Sequence, residues 1–195
     1  MQVVIIEDQD IIAHAIRDDF EQASQQTLSI TVLRTIEEIK TFDFSTTKYI
    51  ISDLFLGSSI YETLVALYAI RHLNPETSIS IFTQSTEVNM LQPILAVIKA
   101  DHLFDKRFQT KIADIVLNEP SQVFSASKKE MKKAEELLGL DDNTQSILSA
   151  LADHISVTTI ALDKNRSKSA ISQVLRKAEN KVGAKQYIMK LFTRS

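Results

Sequence analysis

Apolar residues in the first hundred positions follow two alternating spacings. Short, nearly uninterrupted runs recur at QVVII (2–6), SITVL (29–33), KYIIS (48–52), SISIF (78–82) and ADHLF (100–104), most of them β-branched. Such runs suit strands buried on both faces of a parallel sheet. Between them, IIAHAIRDDFEQA (11–23), IEEIKTF (36–42) and IYETLVALYAIRHL (60–73) return apolar residues at helical intervals, the last ending before Asn74-Pro75. Pro93 falls where a fourth helix is due, and an interior proline is expected to break or delay it. Alternating β and α units predict an open parallel α/β sheet with helices on both faces.

From Ala126 onward the strand pattern stops. KKEMKKAEELLG (128–139), TQSILSALADH (144–154), VTTIALDK (157–164), SKSAISQVLRKAENKVG (167–183) and KQYIMKLF (185–192) all carry helical spacing. Gly139 and Gly183 fall where helix C-caps are expected. Pro120-Ser121 and Ser125-Ala126-Ser127 mark the junction. The expected organisation is an α/β domain over 1–119, a linker over 120–127 and a small all-α domain over 128–195.

Composition narrows the function classes. A hydrophobic fraction of 44% supports packed cores rather than disorder, and the absence of cysteine excludes disulfides, thiolate catalysis and Cys-based metal sites. Glu7, Asp8 and Asp10 stand where a signal peptide would be basic, and no run approaches about 18 apolar residues. A cytoplasmic protein without a membrane partner is expected. Charge is divided along the chain. Residues 1–121 hold 9 Lys+Arg against 17 Asp+Glu, a net −8, whereas residues 122–195 hold 13 against 8, a net +5. An acidic first part and a basic second part fit a regulatory domain joined to one that meets a polyanion, although small domains often differ by a few charges.

The stretch YIISDLFLG (49–57) delivers an apolar run to a carboxylate, Asp53, which is costly to desolvate unless paired, capped or coordinating. In a doubly wound sheet the carboxyl ends of the strands form the ligand site. Those ends carry Glu7-Asp8, Asp53, Thr83 and Lys106. Taken singly, the acids could favour a helix N-terminus or start a turn, and Lys106 could be solvated. Their recurrence at successive strand ends favours one shared site. An oxygen-rich cluster of this kind suits Mg²⁺, beside which an Asp can act as a nucleophile toward phosphorus. Thr83 could then hydrogen-bond a phosphoryl oxygen and Lys106 neutralise another.

VVIIEDQD, YIISDLFLG, IFTQST and LFDKR resemble the signature blocks of two-component receiver domains. The resemblance implies a flavodoxin-like (βα)5 fold. Glu7, Asp8 and Asp53 would be the metal site with Mg²⁺ as cofactor, Asp53 the phosphoacceptor, and Thr83 and Lys106 the residues that sense phosphate. A histidine kinase or phosphotransfer protein would be the partner. The loop after Asp53 lacks the family's proline, and Leu103 stands at its aromatic switch position, with Phe104 one place later.

Farther along, VTTIALDKNRSKSAISQVLRKAENKVGAKQY reads as helix, tight turn at Lys164-Asn165-Arg166, and longer helix, with Ser167 able to cap the second. Ile171, Val174 or Leu175, Ala178 and Val182 make an apolar face. Lys168, Ser172, Gln173 and Arg176 point outward, and Arg166 and Lys181 lie near the ends, suited to phosphates. A polar, basic second helix after a tight turn is what entry into a major groove requires, although an ordinary amphipathic hairpin has the same periodicity. This segment resembles LuxR-type helix-turn-helix domains. The whole chain is similar to NarL/FixJ-class response regulators, with NRSKSAIS resembling the RcsB branch. The resemblance implies a transcription regulator acting on double-stranded DNA as a homodimer and not an enzyme; no P-loop, GxSxG or His-based metal spacing is present. The alternative is a receiver-containing DNA-binding regulator that ignores phosphate and answers to a protein partner.

Overall fold

The β-branched runs assemble into a parallel sheet. The structure is a computed structural model describing residues 1–57, 59–84, 88–109, 111–182 and 185–193, with the backbone alone described at 88–90, 181–182 and 185–187. Elements alternate as β1 (Gln2–Ile6), α1 (Asp10–Ala23), β2 (Ser29–Leu33), α2 (Ile36–Thr41), β3 (Thr47–Ser52), α3 (Ile60–Leu73), β4 (Ser78–Thr83), α4 (Val88–Ile98), β5 (His102–Asp105) and α5 (Ala113–Asn118). The strand order is β2-β1-β3-β4-β5, and each pairing is parallel. Val3 to Ile6, Ile50, Ile51, Ile79 and Ile81 are wholly buried, as continuous apolar runs covered on both faces should be. This is the doubly wound, flavodoxin-like architecture. Its strand order reverses between β1 and β3, which opens the ligand crevice at their carboxyl ends.

Two expectations needed correction. The fifth strand begins at His102 rather than Ala100, because Asp101 Oδ2 accepts the Ile79 N–H at 2.8 Å in place of a ladder carbonyl. Pro93 does not break the fourth helix, which runs through it from Val88 to Ile98. A helix-interior proline costs about 3 kcal/mol. Leu91, Ile94, Leu95 and Ile98 on that helix are almost fully buried, and each contributes roughly 1.5–3 kcal/mol, so packing outweighs the lost bond.

The second half is helical throughout: α6 (Lys128–Leu138), α7 (Asp142–Ala152), α8 (Val157–Asp163), α9 (Lys168–Val182) and α10 (Lys185–Phe192). Side chains cap the first three of these starts, and Ser167 caps that of α9. Ser127 and Glu130 form a reciprocal capping box on α6, Asp141 accepts the Thr144 N–H on α7, and Ser156 accepts that of Thr159 on α8. Gly139 is the C-cap of α6; Gly183 lies outside the described residues.

The segment between the halves forms neither helix nor strand but is tied down. Ser121 Oγ donates to Asp101 Oδ1 at 2.5 Å, and the Gln122 N–H donates to the Asp101 carbonyl at 2.7 Å. Helix α6 packs against both α4 and α9, and α10 against α3 and α7. One continuous apolar core therefore runs from Leu64, Leu67 and Leu91 into Leu137, Leu138, Ile188 and Phe192.

Candidate functional site

Backbone bonds that prolong the ladder hold the chemistry-bearing residues at the carboxyl edge of the sheet. The Glu7 N–H donates to the Leu33 carbonyl at 2.9 Å, that of Asp53 to Ile6 at 2.8 Å, and that of Lys106 to Thr83 at 3.1 Å. Each side chain thus starts from a rigid strand end rather than a free loop. Glu7, Asp53 and Thr83 are buried, while Asp8 stands exposed at the rim.

Lys106 is the centre of this arrangement. Its Nζ donates to Glu7 Oε2 at 2.5 Å and to Asp53 Oδ2 at 2.7 Å, with its side chain only 5% exposed. It also lies 5.8 Å from the centroid of the Phe82 ring. The other oxygens are held by the backbone. Asp53 Oδ1 accepts the Leu54 N–H at 2.6 Å, and Glu7 Oε1 accepts that of Gln9 at 3.2 Å. Burial raises the Glu7 carboxyl above the ordinary range, and the Lys106 ammonium opposes that rise.

One carboxylate oxygen from each of Glu7, Asp8 and Asp53 lies within 4.8 Å of the others. Three hard oxygen donors, two buried and one open to water, fit a divalent cation that keeps part of its hydration shell. All five residues expected at this site, Glu7, Asp8, Asp53, Thr83 and Lys106, come to the same sheet edge. His102 is buried beside this edge, its Nδ1 3.3 Å from Ser80 Oγ. Leu103 is half-buried, while Phe104 is buried and stacks on His102.

The helical half forms the tight turn expected of it. Helix α8 ends at Asp163, Asn165 takes a left-handed φ of 49°, and the Arg166 N–H returns to the Ala161 carbonyl at 2.8 Å. Ser167 Oγ then accepts the Ala170 N–H at 3.1 Å and opens α9. Ile171 and Ala178 face the core, with Val174 and Leu175 packed at its edge. Arg166, Ser167, Lys168, Ser172, Gln173 and Arg176 are all exposed. Lys181 lies on α9, but its side chain is outside the described residues.

No protein-family model matches this chain, and no curated protein sequence matches it. Solved structures do. An RcsB response regulator from Salmonella enterica serovar Typhimurium, bound to promoter P1flhDC in the presence of phosphomimetic BeF3−, aligns over 96% of this chain and 98% of its own. Its sequence identity is 20% and its TM-score 0.55. The same regulator bound to promoter rprA gives 21% identity and a TM-score of 0.51 over 96% of this chain and 98% of that one. A Salmonella typhimurium RcsB structure described for conformational dynamism in DNA interaction gives 19% and 0.53 over 99% and 98%. This chain has the two-part fold of RcsB. In the RcsB-like arrangement, the acidic edge belongs to the α/β part and the exposed α9 face to the helical part. No helix among the described residues is long and apolar enough to cross a membrane.

Local sequence signals did not mark Tyr61, Leu137 and Phe192, which join the two parts. The Tyr61 hydroxyl donates to the Leu137 carbonyl at 2.9 Å, and its ring stacks on Phe192.

Proposed function

We propose that this protein is a phosphorylation-controlled, DNA-binding transcription regulator of the cytoplasm. Residues 1–119 would receive the phosphoryl group, 120–127 link, and 128–195 form a LuxR-type DNA reader. The observation that carries the reading is the convergence of Glu7, Asp8 and Asp53 with Lys106 Nζ already on two of the three carboxylates. Glu7, Asp8 and Asp53 would hold Mg²⁺, which would offset the charge of an incoming phosphoryl group.

Asp53 supplies the nucleophile. A carboxylate oxygen attacks phosphorus in line, the bond from phosphorus to the donor's leaving group breaks, and that group departs with the bonding pair. The product is an acyl phosphate on Asp53. A histidine kinase, a phosphotransfer protein or a small acyl phosphate fits as donor. The Lys106 ammonium, now on Asp53 Oδ2, would transfer to a phosphoryl oxygen, and the Thr83 hydroxyl at the end of β4 would meet another. RcsB structures bound to promoters in the presence of a phosphomimetic support this pairing of functions. A homodimer would meet two half-sites one helical turn, about 34–36 Å, apart.

The test is incubation with an acyl-phosphate donor and Mg²⁺. Intact mass is expected to rise by one phosphate per chain, with tighter binding to selected DNA. A protein that gains no phosphate from acyl-phosphate donors overturns the phosphoacceptor assignment and favours the phosphate-independent alternative.

On the DNA side, Lys168, Ser172, Gln173 and Arg176 would face base edges, with Arg166, Ser167 and Lys181 nearer the phosphates. Gln pairs with adenine and Arg with guanine, each bidentate pair giving roughly 1–3 kcal/mol of discrimination. Gln173→Ala and Arg176→Ala are therefore expected to relax preference at one base position each. Lys181→Ala should weaken all sequences alike and flatten the salt dependence. Selected-oligonucleotide profiles identical to wild type for both α9 variants would remove this helix from the groove.

A further inference from the structure

Between α1 and the end of β2 lies a cavity of about 170 Å³ lined by Ala13, His14, Arg17, Val32 and Arg34. Three of these five residues are basic, and none carries a carboxylate. His14 and Arg17 stand three residues apart on one face of α1, while Arg34 directly follows β2. Arg17 is half-buried, and among the described residues nothing accepts from its guanidinium. Its Nε is closed off from solvent without a partner. A buried donor left unmet is a standing cost that native proteins seldom carry. Arg34 is steadied from the side: its Nε and Nη2 donate to Asp10 Oδ1 at 3.0 and 2.6 Å, which leaves Nη1 unused. His14 Nδ1 lies 2.6 Å from the Asp10 carbonyl, which can only accept, so that nitrogen carries a proton and Nε2 is the free position.

We propose that this cavity binds a small tetrahedral oxyanion of the phosphate class. Guanidinium forks match the oxygens of such an ion two at a time. A turn of the Arg17 guanidinium brings Nε and one Nη onto two oxygens and ends the isolation of Nε. Arg34 Nη1 supplies a donor for a third oxygen, and His14 as the imidazolium donates from Nε2. A planar carboxylate would satisfy one fork, whereas a tetrahedral ion offers oxygens to donors arriving from both α1 and the end of β2. Water could accept from Arg17 but would leave its charge without a counter-ion. The cavity of about 170 Å³ far exceeds the roughly 10–15 Å³ that one water needs, so the ion fits with part of its hydration. The site is separate from the acidic edge, since none of Glu7, Asp8, Asp53, Thr83 and Lys106 lines it. It does not depend on the phosphoacceptor reading.

The test titrates the full chain, in buffer free of Mg²⁺ and chloride, with inorganic phosphate, with sulfate and with chloride, while the arginine Nε–H resonances are followed by NMR. The signal missing from Arg17→Gln identifies Arg17. Phosphate and sulfate are expected to shift that signal saturably at millimolar concentrations or below, and chloride far less. Calorimetry on the same chains gives the affinity. Arg17→Gln is expected to weaken phosphate about tenfold or more, because it removes a charged, bidentate donor. Arg34→Gln should weaken it as well, and loses only an exposed ion pair with Asp10, so the chain stays folded. Lys40→Gln, an exposed charge on α2 outside the cavity, should leave the affinity unchanged. No saturable shift of the Arg17 signal, a response to chloride equal to that to phosphate, or unchanged affinity in both arginine variants overturns the site. A loss equally large in Lys40→Gln overturns it too, by reducing the effect to general surface charge.

Discussion

Asp53→Ala will take up no phosphate from an acyl-phosphate donor under conditions that load the wild-type chain. Asp53 is the carboxylate at the end of β3, where the strand order reverses, with Lys106 on one oxygen and the Leu54 amide on the other. Glu7 is a poor substitute. It is buried, and its two oxygens are held by Lys106 and Gln9. Asp8 is exposed at the rim and lacks the ammonium. The variant should also stay folded, because Lys106 keeps Glu7 as a partner and one buried negative charge is removed. Intact mass before and after donor treatment checks the result, and phosphate on the variant would move the site to one of the other two acids.

Lys106→Met is expected to have the largest effect on stability. It leaves Glu7 and Asp53 buried together without the cation that bridges them. Removing one partner from a buried ion pair costs about 3–5 kcal/mol, far above the value of an exposed pair. Mg²⁺ should recover part of the loss, because a ligand bound only by the native state at about 100 times its Kd adds about 2.7 kcal/mol. Urea unfolding with and without Mg²⁺ measures both. A loss below about 1 kcal/mol, or no response to Mg²⁺, would contradict the charge arrangement described for this pocket.

Elements with strong local signals were the ones legible in the sequence. β1, β2, α3 and α10 run over the residues their apolar patterns mark. The candidate site residues were legible because each ends a strand or lies within two residues of its end, so a linear pattern of strand ends becomes one edge in space. What escaped was held from a distance. Helix α5 is only six residues long, and the Ile112 and Ala113 amides at its start are taken by Asp19 Oδ2 at 2.7 and 2.8 Å. A cap supplied from α1 leaves no trace beside the helix itself. The fifth strand was placed two residues early for a similar reason, since Asp101 answers to Ile79 and Ser121 rather than to its chain neighbours. Pro93 misled in the opposite direction: its local cost is real, but tertiary burial of its neighbours exceeds it. Tyr61 carries no local mark of its role, because its partners come from α6 and α10.

The apolar core that crosses between the two parts has a consequence during synthesis. The α/β part leaves the ribosome first, and at roughly 5–20 residues per second several seconds pass before α6 to α10 follow. Until then the α3–α4 surface that α6 and α10 cover in the finished molecule faces water. A nascent chain at this stage carries an exposed apolar face open to a chaperone or a neighbouring nascent copy, and arrival of α10, with Phe192 at its end, closes it.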